Sequence, residues 1–299
     1  MPTAKANGLD LYYESHGPEG AEPILLIMGL GAQMSRWSPA FVGALTDAGH
    51  RVIAFDNRDV GLSEKLDGAG APDIGAVVRA VREGRKPPVA YTLSEMAADA
   101  AGLLQALGVA RAHIVGASMG GMIAQLVAAD FPERTLSLTS IMSTTGNPEL
   151  PPAKPEAIAR LNTPAPDPTV DLEAFLKSSV EGAKTMAGTY PVDEAQVREQ
   201  ALADYRRCYY PVGFQRQYAA ILASPDRRTK LKGIAAPTVV LHGGDDPLVP
   251  VEGGRDTAAN IPGADLRIVP GVGHEMPSAV LGKFVEGVLS AVARTKTTA

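Results

Sequence analysis

The chain has 299 residues, 45% hydrophobic and 20% charged, with a net charge of −5 at pH 7. That length supports a deep core, and the composition is ordinary for a soluble globular protein. Nucleic acid or an anionic membrane would need clustered Lys and Arg, and neither is expected as a partner: the one dense basic stretch, Arg79 to Lys86, is broken by Glu83 and Gly84 and reads as a solvated surface segment.

From the N-terminus, Met1 to Tyr13 lacks the charged start and apolar run of a signal peptide. The longest apolar run, Ile24 to Leu30, is too short to span a bilayer. The expected location is cytoplasmic by default. Leu9 to Glu14 is strand-like, and Ile24 to Met28 has the continuous apolar character of a strand buried on both faces. Arg51 to Phe55 is similar, and a short helix is expected around Ile74 to Val81. Thr92 and Glu95 have capping-box spacing, and the helix they open runs to Gly108. The strand His113 to Val115 leads into a helix over Met119 to Ala129, closed by Pro132, and Leu136 to Ile141 is the next strand. From Thr144 to Asp226 no strand is convincing. Pro-rich stretches, Pro148 to Pro155 and Pro164 to Pro168, precede helices over Leu172 to Ala183, Glu194 to Arg207 and Phe214 to Leu222. Strands resume at Thr238 to Leu241 and Leu266 to Val269. This alternation predicts an α/β architecture with a mostly parallel sheet covered by helices on both faces. The expected division is a core of residues 1–143 and 227–299, with a helical cap or lid over 144–226.

Gly116-Ala117-Ser118-Met119-Gly120 fits G-x-S-x-G and sits between a strand and a helix, the context that motif needs. The tight turn leaves no room for side chains at 116 and 120, and it pushes the serine out at the sheet edge. The helix behind it aims N–H groups and a positive dipole end at a developing oxyanion. A serine hydroxyl needs a base. Among the histidines at 16, 50, 113, 242 and 274, His274 lies in a glycine-rich loop after a late strand. His50 and His113 stand at the starts of strands, away from that edge, and His242 is the competitor. Asp246 just past Leu241 supplies the acid, with Asp245 as its alternative; Pro247 restricts Asp246 to an extended backbone. Met28-Gly29-Leu30-Gly31 is the expected oxyanion loop, pairing the N–H of Leu30 with that of Met119. The lone cysteine, Cys208, excludes an internal disulfide and a Cys-based metal site, and reads as a packing residue among Tyr205, Tyr209 and Tyr210.

Taken together these residues resemble the α/β-hydrolase superfamily over nearly the whole chain. Asp56-Asn57-Arg58-Asp59-Val60-Gly61-Leu62-Ser63 is similar to the family's D-x-R-G-x-G-x-S segment, with Asp59 where glycine is usual. Met28-Gly29 replaces the usual His-Gly. Both departures resemble a bacterial subgroup that includes aclacinomycin methylesterase. The resemblance implies a nucleophile after the fifth strand, a cap after the sixth, and a carboxylic ester substrate. Serine at 118 sets the chain apart from haloalkane dehalogenases and epoxide hydrolases, which place aspartate there. The expected protein is a serine carboxylesterase with the triad Ser118, Asp246 and His274, needing no metal or organic cofactor. Its expected partner is a small, largely apolar ester, bound in a cap pocket drawn from Leu161, Phe175, Met186, Phe214 and Tyr218, with Met142 read alongside them. Lactonases, C–C bond hydrolases and perhydrolases share the triad, and a ligand receptor keeps the fold without turnover.

Overall fold

The structure is a computed structural model describing residues 2–296. Eight strands form one sheet: β1 (Thr3–Ala6), β2 (Leu9–His16), β3 (Pro23–Ile27), β4 (Arg51–Phe55), β5 (Ala112–Ala117), β6 (Thr135–Ile141), β7 (Thr238–Gly243) and β8 (Asp265–Val269), in the spatial order 1-2-4-3-5-6-7-8. β1 and β2 form an antiparallel hairpin, β2 runs antiparallel to β4, and every later pair is parallel. The helices are α1 (Pro39–Asp47), α2 (Ile74–Arg82), α3 (Leu93–Ala106), α4 (Met119–Asp130), α5 (Pro155–Asn162), α6 (Leu172–Met186), α7 (Glu194–Arg207), α8 (Pro211–Ala223), α9 (Arg228–Leu231), α10 (Val251–Asn260) and α11 (Leu281–Thr295). No helix among the described residues is long and apolar enough to cross a membrane.

The central strands are apolar on both faces because both faces are covered. Side chains such as Leu25, Ile27, Ile53 and Ile114 pack with α3 and α4 in one core cluster, which includes Leu93, Met96, Leu104 and Ile123. Ile24, Leu26, Val52 and Val115 face the other way, onto Phe41 and Leu45 of α1 and Phe284 and Val288 of α11. The capping box at Thr92 and Glu95 is present, with Glu95 Oε2 accepting the Thr92 N–H at 2.8 Å. Arg79 to Lys86 is exposed apart from Ala80.

Several elements differ from the sequence expectation. The Pro-rich stretch from Pro148 leads straight into a helix, α5, which tolerates Pro155 because it stands at the first position, where a missing N–H costs nothing. α8 likewise starts at Pro211, three residues before Phe214. Met142 lies at the edge of the sheet and not in the inserted helices. It follows directly on β6 at φ 41°, its N–H bonded to Leu241 O at 2.8 Å, in the cluster beneath α1 and α11.

Between β6 and β7 the chain carries α5 to α9 and no strand. Polar groups bind this insertion to the core loops. Asp59, fully buried at φ 67°, makes a two-armed ion pair with Arg216 of α8, both bonds at 2.8 Å. Arg207 of α7 pairs with Asp56 at 2.7 Å, and Arg36 pairs with Asp204. Burial pushes the Asp59 carboxyl up, but bonds from Arg216 and the Leu66 N–H outweigh that and hold it below the usual carboxylate range. A depressed carboxyl contributes stability above its unfolded value that is lost as the pH falls through its folded value. Arg216→Ala strands a buried charge and is expected to cost about 3 kcal/mol or more in urea denaturation at pH 7. The gap from wild type should narrow on acidification below about pH 4, where aspartate protonates.

Candidate active site

β5 ends at Ala117 and α4 begins at Met119, so the chain reverses on Ser118 alone. Ser118 sits at φ 56°, ψ −121°, a conformation L-residues rarely adopt and one that costs of order 1–3 kcal/mol. It is pinned there: its N–H donates to Ile141 O at 2.9 Å, and its carbonyl accepts Ser143 Oγ–H at 2.9 Å. A Cβ on Gly116 would lie 2.0 Å from Gly120 O, and one on Gly120 would lie 2.0 Å from Ile27 O. Both contacts are backbone, so neither can yield. Gly120→Ala is therefore expected to abolish the well-ordered fold around Ser118, read as a drop in Tm of several degrees together with loss of hydrolytic activity.

Three side chains from distant parts of the chain meet at this edge. Ser118 Oγ lies 2.9 Å from His274 Nε2, and His274 Nδ1 lies 2.7 Å from Asp246 Oδ2. A carboxylate only accepts, so Nδ1 carries the proton, and the Nε2 lone pair faces the serine hydroxyl. Asp246 is buried, and its second oxygen accepts the N–H groups of Leu248 and Val249 at 2.9 and 2.8 Å, which fixes its orientation. Asp245, the alternative acid, is exposed. His242, the alternative base, is buried with Nε2 donating to Val249 O at 2.8 Å; burial pushes its pKa down and keeps it neutral.

The turn after β3 runs beside Ser118: a Cβ on Gly29 would lie 3.1 Å from the Ser118 Cβ. The Ser118 carbonyl accepts from Gly121 and Met122, so the N–H of Met119 is one of the free donors at the start of α4. In the turn after β3, Ala32 N–H donates to Gly29 O at 3.3 Å and Gly31 N–H to Gln217 Oε1 at 2.8 Å, leaving the Leu30 N–H without a partner among the described residues. The Asn57 amide holds Met28 O at 2.9 Å. Gln217 also donates to Arg58 O at 2.7 Å, so this buried α8 side chain ties the turn to the Asp56–Ser63 loop.

The expected pocket residues divide. Phe214 of α8 lies against Gly31, where a Cβ would come within 2.6 Å of its ring, and it stacks on Tyr218. Met186, closing α6, reaches the site through its backbone: its carbonyl accepts the His274 N–H at 2.8 Å. Phe175 instead joins Tyr205 and Tyr209 in an aromatic cluster between α6 and α7, and Leu161 is half-buried on α5. Sequence reasoning missed Gln217, Asn57 and Ser143. It flagged Asp59 only as a departure. A buried charge at a position where glycine is usual demands a partner, and that was the available signal for Arg216.

A strand–serine–helix reversal, a hydrogen-bonded Ser-His-Asp line and a parallel sheet under inserted helices define a hydrolase, and the chain belongs to the alpha/beta hydrolase fold family, which it matches over residues 22–277. Rhodomycin D methylesterase of Streptomyces peucetius is 29% identical, covering 94% of each chain. The 2-hydroxy-6-oxononadienedioate/2-hydroxy-6-oxononatrienedioate hydrolase of Burkholderia vietnamiensis is 31% identical, over 89% of this chain and 85% of that one. Among solved structures, the meta-cleavage product hydrolase of Pseudomonas fluorescens IP01 superposes with a TM-score of 0.75 at 19% identity, covering 98% of each chain, a likeness of fold.

Proposed function

We propose that the protein is a serine carboxylesterase acting through an acyl-enzyme. The observation that carries this reading is the unbroken line from Ser118 Oγ through His274 to Asp246, with bonds of 2.9 and 2.7 Å. In the proposed reaction Ser118 attacks the ester carbonyl while His274 takes its proton, and Asp246 stabilises the resulting imidazolium. The N–H groups of Leu30 and Met119 hold the oxyanion, each worth about 3 kcal/mol. His274 then protonates the leaving alcohol, and water repeats the sequence on the acyl-enzyme. These groups complete every step without a metal or organic cofactor. Similarity to a methylesterase favours an ester. Similarity to a dienedioate hydrolase favours, as a second reading, C–C bond hydrolysis on the same residues.

Ser118→Ala and His274→Ala are each expected to lower kcat on a short activated ester by roughly 10⁴-fold or more, and the double variant should be little worse than either. Wild-type turnover by folded Ser118→Ala would overturn the assignment. No turnover of any ester by the wild type, with tight ligand binding, would point to a receptor. Asp246→Asn should cost far more than Asp245→Asn, because the amide leaves the imidazole in the wrong tautomer; steady-state kinetics of both variants decides. A panel of esters, lactones and C–C hydrolase substrates separates the two enzyme readings.

The insertion over residues 144–226 is proposed to act as a cap that selects a small, largely apolar substrate. Two contacts support this reading: Phe214 lies against Gly31, and the Met186 carbonyl accepts the His274 N–H, while the proposed reacting groups come from outside the segment. Phe214→Ala is expected to reorder the kcat/KM ranking of acetate against octanoate esters, while kcat on acetate changes by less than about tenfold, or 1.4 kcal/mol. Parallel losses on both esters would show that Phe214 only supports the loop.

A further inference from the structure

At the opposite end of the sheet, the strands bring together three residues that the proposed hydrolysis does not use. Glu22 immediately precedes β3, His50 immediately precedes β4, and His113 is the second residue of β5. Because these strands are parallel neighbours in the order 4-3-5, their entry points lie side by side. β5 ends at Ala117, so five residue steps of about 3.3 Å each separate His113 from Ser118 along the strand. One ligand-type atom from each of Glu22, His50 and His113 lies within 4.8 Å of the others.

The details are those of ligands held ready. His113 is 1% exposed, and its Nε2 has no aligned hydrogen-bond partner, although the Glu22 carboxylate stands 3.1 Å away at ion-pair distance. Its other nitrogen, Nδ1, is 2.8 Å from Ser137 Oγ across the β5–β6 pairing, the kind of outer contact that orients a ligating imidazole. His50 Nδ1 lies 3.2 Å from the Glu22 carbonyl; a carbonyl only accepts, so this nitrogen carries the proton and a neutral ring keeps its lone pair on the other. In a tetrahedral site with bonds near 2.0–2.1 Å, ligand atoms stand about 3.3 Å apart. The Glu22–His113 separation already matches, and the widest of the three needs to close by no more than about 1.5 Å. Glu22's side chain is 39% exposed, which gives an ion access from solvent and room for a water as fourth ligand. Lys296 also acts on this cluster electrostatically and opposes a cation there, but from an exposed position, where solvent and salt screen its repulsion.

We propose that Glu22, His50 and His113 bind a zinc-class divalent cation, which ties together the starts of β3, β4 and β5. Two imidazoles and one carboxylate suit zinc, nickel or copper better than magnesium or calcium, which prefer oxygen. No ligand spacing in the sequence announces the site, because the three residues are far apart along the chain and meet only through strand order.

The test is calorimetric titration of chelator-treated protein, free of any histidine tag, with zinc chloride. One ion per chain is expected for the wild type. Glu22→Gln and His113→Asn should each weaken binding by at least about tenfold, the lower end of what even outer partners of a ligand cost. His274→Ala should bind like the wild type, which separates this site from the one at Ser118. Should His113→Asn fail to fold, Glu22→Gln, at a partly exposed position, still decides. The proposal is overturned if the wild type takes up no stoichiometric zinc. It is equally overturned if Glu22→Gln binds as tightly as wild type, since the cluster would then be no more than a glutamate–histidine ion pair.

Discussion

The constraint on which the rest depends is the reversal of the chain at a single residue between β5 and α4. Packing the helix start against the backbones of β5 and β3 leaves no volume for a Cβ at Gly116 or at Gly120, and Ser118 between them stands at φ 56°. The strain is held by the end of β6 and the residues just past it, through the Ile141 carbonyl and the Ser143 hydroxyl. The same geometry turns the Ser118 hydroxyl toward His274, 2.9 Å away, and leaves the first N–H of α4 outside the helix's own bonding. The proposed nucleophile and one proposed oxyanion donor therefore arise from one packing solution, and the loops after β3, β7 and β8 add their groups around it.

Those loops are held mostly by polar contacts, several of them from the inserted helices. Gln217 fixes the turn carrying Leu30, Arg216 and Arg207 neutralise Asp59 and Asp56, and the end of α6 accepts the backbone N–H of His274. Buried ion pairs add little net stability when measured against apolar replacements, but breaking one is costly. Their evident effect here is registration: α8 can sit on the Asp56–Ser63 loop in one position only, and that position sets where Phe214 meets Gly31.

Much of this was legible in the residues alone, and for local reasons. Apolar runs bounded by glycine or proline marked the central strands, Thr92 and Glu95 marked α3, and G-x-S-x-G between a strand and a helix marked the reversal, because sterics and hydrogen bonding within a few residues dictate each of them. β1 was missed because Thr3–Ala6 is short and only partly apolar; it is a strand because β2 pairs with it. α5 was hidden by prolines whose meaning depends on their position in the helix.

The sequence by itself determined the α/β alternation, the strand–serine–helix reversal, and which residue types were available for acid and base. Only the tertiary structure decided which of two histidines meets Ser118 and which of two neighbouring aspartates meets that histidine, which polar side chains bind the insertion to the core, and that Phe175 packs among tyrosines while Phe214 reaches the turn at Gly31. It also decided that Glu22, His50 and His113 share one corner. The physical reason is range. Caps, turns and strand periodicity act over a few residues, whereas a hydrogen bond between residues 156 apart, such as His274 to Ser118, exists only once strand order has brought their loops to the same edge.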